Sequence, residues 1–260
     1  MKRVYFGTNL KMYKNIRMTH DYLVSLEQLT RDISRDTIKL FVIPSYTSLP
    51  EAVKCVDQSL IQIGAQNMGW EDEGQFTGEI SPLMLEELGI HLMMAGHSER
   101  RHVLLETDEM ENRKVLCALH HGFTALLCIG ETGGQKEGGI SREVLRTQLK
   151  LGFKGVDPQM ADHIMVAYEP VWAIGVNGKP ASVEYAEEMH SEIRTCLDEI
   201  FGRENSAKIP VLYGGSVNME NAVPLIRQEH IDGLYVGRSA WHADQFNTLI
   251  RACLSSLSGQ

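Results

Sequence analysis

The sequence predicts a single (β/α)8 barrel over residues 1–260, and three observations carry that prediction. Eight short apolar runs recur from end to end, and amphipathic stretches of helical periodicity fill the gaps between them. No compositional break, linker, repeat or low-complexity tract divides the 260 residues. One closed α/β barrel takes ~250 residues.

The runs, in order, are VYFGT (4–8), KLFVIP (39–44), LIQIGA (60–65), IHLMMA (90–95), FTALLCI (123–129), HIMVAYE (163–169), IPVLYG (209–214) and DGLYVG (232–237). Most are continuous rather than alternating, the pattern of strands buried on both faces of a parallel sheet. After the first run, Tyr22, Leu23, Leu26, Leu29 and Ile33 share one helical face, with Thr19 as the N-cap. After the fourth, DEMENRKVLCALHHG reads as a helix that stops at Gly122, with His120 and His121 solvated at its end. After the sixth, Ala186, Met189, Ile193, Leu197 and Ile200 form a face behind the cap Ser182. Such alternation implies βα units, and eight of them imply closure. An open doubly wound sheet is the alternative topology. GETGGQKEGG (130–139) lacks the GxxxxGK[ST] spacing of a phosphate-binding P-loop and reads as a flexible loop.

Composition narrows the partners. With 43% hydrophobic and 23% charged residues the chain has the make-up of a globular protein. A net charge of −9 argues against nucleic acid and anionic membranes, so an anionic ligand needs local donors. The five cysteines show no CxxC spacing and read as reduced thiols. The opening residues lack the apolar segment of a signal sequence, and no apolar run approaches the ~18 residues of a membrane helix. A cytoplasmic location is expected. In HSE, His97 and Glu99 stand two apart with no further ligand at metal spacing, so neither a metal nor another cofactor is expected.

In an α/β barrel the chemistry lies where strands end. Those positions carry Asn9 and Lys11 after the first run, and Gly96, His97, Ser98 and Glu99 after the fourth. Gly130, Glu131 and Thr132 follow the fifth, and Glu169 ends the sixth. Gly214, Gly215 and Ser216 follow the seventh, and Gly237, Arg238 and Ser239 the eighth. YGGSV and VGRSA are candidate phosphate cradles, because glycine lets backbone N–H groups approach an anion. A carboxylate, an imidazole, an ammonium and an amide suit proton transfer beside a carbonyl.

AGHSERR (95–101), CIGET (128–132), AYEPVWAIG (167–175), YGGSV (213–217) and FTGEIS (76–81) make the chain resemble the triosephosphate isomerase family over essentially its whole length. The resemblance implies a TIM barrel that interconverts glyceraldehyde 3-phosphate and dihydroxyacetone phosphate through an enediolate, without a cofactor. It implies Glu169 as the base, His97 as the electrophile, Lys11 as a fixed positive charge and Asn9 as a hydrogen-bond donor. Backbone N–H groups of Gly175, Ser216, Gly237 and Arg238 are implied to hold the phosphate, under a lid formed by residues 170–179. Cys128 and Glu99 are implied to support the site. The family's homodimers imply that Thr77 inserts beside a neighbour's site.

Three departures bear on substrate. Leu10 stands where the family has tryptophan, the lid IGVNGKPA is one residue longer, and Arg238 replaces a glycine. The last two resemble a side branch that isomerises L-erythrulose 1-phosphate to D-erythrulose 4-phosphate. A non-catalytic sugar-phosphate binder and a Schiff-base aldolase using Lys11 are the alternatives from other classes.

Overall fold

The computed structural model describes residues 3–174 and 178–258. In chain order, the first half contains β1 (Val4–Asn9), α1 (Ile16–Thr30), β2 (Ile38–Ile43), α2 (Leu49–Cys55), β3 (Gln62–Ile63), α3 (Pro82–Glu87), β4 (Leu92–Ala95), α4 (Ser98–His102) and α5 (Asp108–His120). The second half contains β5 (Thr124–Ile129), α6 (Gly133–Glu137), α7 (Ser141–Gly152), β6 (Ile164–Tyr168), α8 (Val183–Phe201), α9 (Arg203–Ser206), β7 (Val211–Tyr213), α10 (Ala222–Ile226), β8 (Gly233–Tyr235) and α11 (Ala243–Leu257).

All pairings are parallel, in the order β3-β2-β1-β8-β7-β6-β5-β4. The ends of that sheet meet. Ala65 bridges Met93, its N–H donating to the Leu92 carbonyl at 2.8 Å while the Met94 N–H donates to the Ala65 carbonyl at 3.0 Å. The sheet therefore closes into a barrel, and the open alternative is excluded. Each apolar run overlaps one strand, and β3, β7 and β8 are the shortest, at two, three and three residues.

Alternate residues point to opposite sides of each strand. One set fills the barrel with Phe41, Leu92, Met94, Leu126, Met165 and Leu212. The other packs under the helices. Gly7 belongs to the crowded interior: a Cβ there would stand 2.0 Å from the Phe41 ring, so β1 needs a glycine opposite that side chain.

Three local expectations are corrected. Asn15, not Thr19, caps α1 by accepting the Met18 N–H at 2.9 Å; Thr19 is buried within the helix, and Ile33 lies beyond its end at Thr30. Residues 130–139 are not a flexible loop, since Gly133–Glu137 is helical. Thr132 and Gln135 form a reciprocal capping box there, which satisfies free N–H groups at the helix start. His121 is not solvated, being half-buried between Glu86 and Asp72. Ser182 caps α8 by accepting the Tyr185 N–H at 3.1 Å, and Gly122 ends α5 at a φ of +71°. Among the described residues no helix is long and apolar enough to cross a membrane.

Candidate functional site

A cleft of about 510 Å³ opens at the C-terminal ends of the strands. Asn9, Lys11, His97, Glu169, Ser216, Gly237 and Arg238 all line it. Gly175 lies outside the described residues. Thr77 is exposed in the segment between β3 and α3 and is not part of this cleft.

Asn9 ends β1. Its Oδ1 accepts the Lys11 N–H at 2.7 Å and the Gln66 side-chain N–H at 3.0 Å, which fixes the amide orientation and leaves its NH2 to meet a ligand. The first of these bonds holds Lys11 at a φ of +51°, left-handed backbone that a lysine rarely adopts. Gln66 also binds the Lys11 carbonyl at 2.8 Å. The bend turns the lysine side chain to the cleft, where Nζ meets Glu99 Oε1 at 2.7 Å.

His97 is the residue before α4. Gly96, at a φ of +75°, makes the turn out of β4; a Cβ there would come within 2.6 Å of the Cys128 carbonyl. The Glu99 N–H donates to His97 Nδ1 at 3.2 Å. With Nδ1 accepting, Nε2 is the ring's donor. That Nε2 stands 3.5 Å from Glu169 Oε1. The other Glu169 oxygen accepts the Ser98 N–H at 3.4 Å. Glu169 is buried, and the chain around it is tight: a Cβ on Gly214 would lie 2.9 Å from Glu169 Cγ. Cys128 is buried below, its thiol pushed well above the usual range by burial and by the Glu169 charge, so it is no nucleophile.

Glu131 is wholly buried yet well supplied with donors. It accepts from Trp172 Nε1 at 2.7 Å, the Tyr185 hydroxyl at 2.9 Å and the Tyr168 hydroxyl at 3.1 Å. Its carbonyl takes the Val171 N–H at 2.9 Å. The end of β5 thus grips the start of the segment that follows Glu169. Lys136 of α6 places Nζ 3.3 Å above the Trp172 ring.

At the phosphate-cradle end, Ser216 follows β7 and Gly237 follows β8. The Ser239 hydroxyl donates to the Val217 carbonyl at 2.8 Å and ties the two turns together. Arg238 is exposed at the mouth. Three aromatic residues of the cleft, Tyr13, Tyr235 and Trp241, escaped the sequence reading. Trp241 donates from Nε1 to the Asn9 carbonyl at 3.0 Å, and its ring lies 4.5 Å from that of Tyr13. Tyr235, on the last residue of β8, reaches the cleft floor with its hydroxyl 3.0 Å from Met94 Sδ. An aromatic residue in an apolar run reads as core, so only the strand-end position of Tyr235 hinted at more.

The family described as triosephosphate isomerase matches residues 4–253. An L-erythrulose-1-phosphate isomerase of Rhizobium etli is 45% identical over 94% of this chain and 90% of its own. A triosephosphate isomerase of Fusobacterium nucleatum is 43% identical over 97% of this chain and 99% of its own. An L-erythrulose-1-phosphate isomerase of Brucella abortus is 39% identical over 99% of both chains. The chain belongs to the triosephosphate isomerase family and is a sugar-phosphate isomerase.

Proposed function

We propose that the chain moves a proton between neighbouring carbons of a short phosphorylated ketose, with Glu169 as base and His97 as electrophile. The observation that carries this reading is the facing pair: a buried carboxylate 3.5 Å from an imidazole Nε2 whose other ring nitrogen accepts the Glu99 N–H. Glu169 takes the proton from the carbon beside the carbonyl. The C–H pair becomes the C=C bond, and the carbonyl π pair moves to oxygen. The His97 Nε2–H, the Lys11 charge and the Asn9 NH2 stabilise that oxygen. His97 Nε2 gives its proton to that oxygen and takes one from the hydroxyl on the first carbon, whose oxygen becomes the new carbonyl, while the C=C pair takes the proton back from Glu169 at the former carbonyl carbon. The triosephosphate isomerases are the standard example of this carboxylate–imidazole division of labour. Backbone N–H groups of Ser216, Gly237 and Arg238 hold the phosphate, joined by Gly175, and residues 170–179 close over the complex and exclude water.

The relatives carry two substrate names, and we favour the four-carbon pair, L-erythrulose 1-phosphate and D-erythrulose 4-phosphate. Compared with the triose, a tetrulose has a hydroxymethyl group on the carbon that loses its proton. Such a group needs room and a polar partner deep in the cleft. Tyr235 lines the cleft, and its hydroxyl donates to a thioether, a weak acceptor that a substrate hydroxyl replaces. Arg238 adds a cation at the mouth, and the lid is longer by one residue. The triose reading rests on the name of the family and of the relatives from Fusobacterium nucleatum and Clostridium botulinum. Rates with glyceraldehyde 3-phosphate and L-erythrulose 1-phosphate decide between them. We expect kcat/KM to favour the tetrulose, and Tyr235→Phe to shift the ratio about tenfold toward the triose, the worth of one hydrogen bond. Arg238→Gly should shift it in the same direction. A wild-type preference for the triose, unchanged in both variants, overturns the four-carbon reading.

We also propose a homodimer. Met12, Tyr13, Phe76, Val103, Leu104 and Leu105 are exposed, and Leu105 sits at a φ of +58°. Exposed apolar side chains in such number mark a surface that another copy covers. In this assembly Thr77, beside Phe76, reaches the neighbour's cleft.

A further inference from the structure

Away from the cleft, three segments converge on one imidazole. His121 follows the last turn of α5, and its N–H bonds to the Cys117 carbonyl at 3.1 Å. The helix therefore sets Cys117 and His121 one turn apart on the same side. Asp72 arrives from the segment after β3, with its carbonyl held by the Ser81 hydroxyl at 2.6 Å. Ser81 caps α3, and α3 brings Glu86. His121 Nε2 stands 2.9 Å from Asp72 Oδ1, and His121 Nδ1 stands 2.9 Å from Glu86 Oε1.

Among the described residues this is the group whose ligand atoms meet the spacing of a bound ion: Asp72, Cys117 and His121 offer oxygen, sulfur and nitrogen within 4.8 Å of one another. We propose that Asp72, Cys117 and His121 form a binding site for a zinc-class divalent transition metal, with Glu86 orienting the imidazole. The donor set argues for that class. A thiolate, an imidazole and a carboxylate are the three ligand types zinc takes, and an open fourth position suits water. Bonds of about 2.0–2.3 Å to one ion put ligand atoms ~3–4 Å apart, and the three ligand atoms here, all within 4.8 Å of one another, reach that arrangement by small side-chain rotations.

The surroundings fit as well. Glu86 on the far ring nitrogen is the carboxylate partner that metal-bound histidines ordinarily have. Glu73 lines the same surface hollow of about 510 Å³, together with a Glu71–Arg113 ion pair, and the C-terminal carbonyls of α5 add negative potential. On coordination Cys117 gives its proton to solvent, and the ion takes the place of the proton between His121 and Asp72. The bound ion ties the segment that carries Phe76 and Thr77 to α5.

The sequence hid the site because Asp72 comes from a distant segment and Cys117 and His121 alone look like an ordinary helix end. Cobalt(II) titration of the metal-free protein is the test, since a thiolate ligand produces an intense near-ultraviolet charge-transfer band. We expect saturation at one equivalent per chain, displacement by zinc(II), and loss of the band in Cys117→Ser. Asp72→Asn and Glu86→Gln should each weaken binding about 10- to 100-fold. Metal-free turnover should stay at the wild-type level in all three variants, because none of these residues lines the cleft. No saturable binding, a band that survives in Cys117→Ser, or an affinity unchanged in Asp72→Asn overturns the proposal.

Discussion

One methylene separates the Glu169 carboxylate from a misplaced one. Its two oxygens are already assigned, one to His97 Nε2 and one to the Ser98 N–H. Glu169→Asp keeps the charge and withdraws it by about 1.5 Å, and a misplacement of that size costs about 10²-fold in rate. We expect kcat to fall by at least about 10²-fold, while competitive inhibition by inorganic phosphate stays within about twofold of wild type. That split is what a proton-transfer role demands, because the phosphate-cradle end of the cleft is built from other loops. A variant that kept full turnover would remove Glu169 from the chemistry.

At the scale of elements, the grip of β5 on the segment after β6 is the least ordinary feature. Glu131 is a buried carboxylate that accepts from a tryptophan and two tyrosines, and the tryptophan lies two residues after Pro170, in the segment proposed as a lid. Trp172→Phe keeps the ring under Lys136 but deletes one charged hydrogen bond. Such bonds are worth about 1.5–3 kcal/mol, so urea unfolding should show a loss in that range. The lid residues from Pro170 onward should become more open to proteolysis. The sequence displayed this element only in part. The apolar runs marked every strand, because buried parallel strands need continuous apolar residues, and the charged residues that end those runs stood out as candidates. Glu131 was visible as a strand-end carboxylate, but its three aromatic donors come from β6, the lid and α8, which only folding brings together. The helix α6 was missed because its two glycines outweigh a capping box that becomes apparent only from the Thr132–Gln135 contact. Tyr235 and Trp241 were missed because an aromatic residue near a strand end reads equally well as core.

The whole molecule adds two expectations, one on assembly and one on pH. Sedimentation velocity should give about twice the 29.2 kDa chain mass, and a species of single-chain mass at micromolar concentration would refute the homodimer. The second concerns His190, on α8, packed between the Tyr168 and Tyr213 rings and cut off from solvent. Burial pushes its imidazole down to about 4. The unfolded chain binds this proton near pH 6.5 and the folded chain only near pH 4. Its contribution to stability is therefore complete above pH 6.5 and is lost as pH falls toward 4, by about 3 kcal/mol in all. Glu111 works in the opposite direction. Burial and the neighbouring Glu106 raise its carboxyl, so the folded chain holds a proton that the unfolded chain has released, and stability declines as pH rises through that range. The two slopes have opposite signs over overlapping pH, so only variants separate them. In the wild type the two contributions offset, so urea midpoints should change little from pH 4 to pH 8; in His190→Gln they should decline as pH rises from 4.5 to 7. In Glu111→Gln the fall toward acid pH should stand out. Parallel wild-type and His190→Gln curves below pH 6.5 would show that this histidine is not held neutral inside the fold.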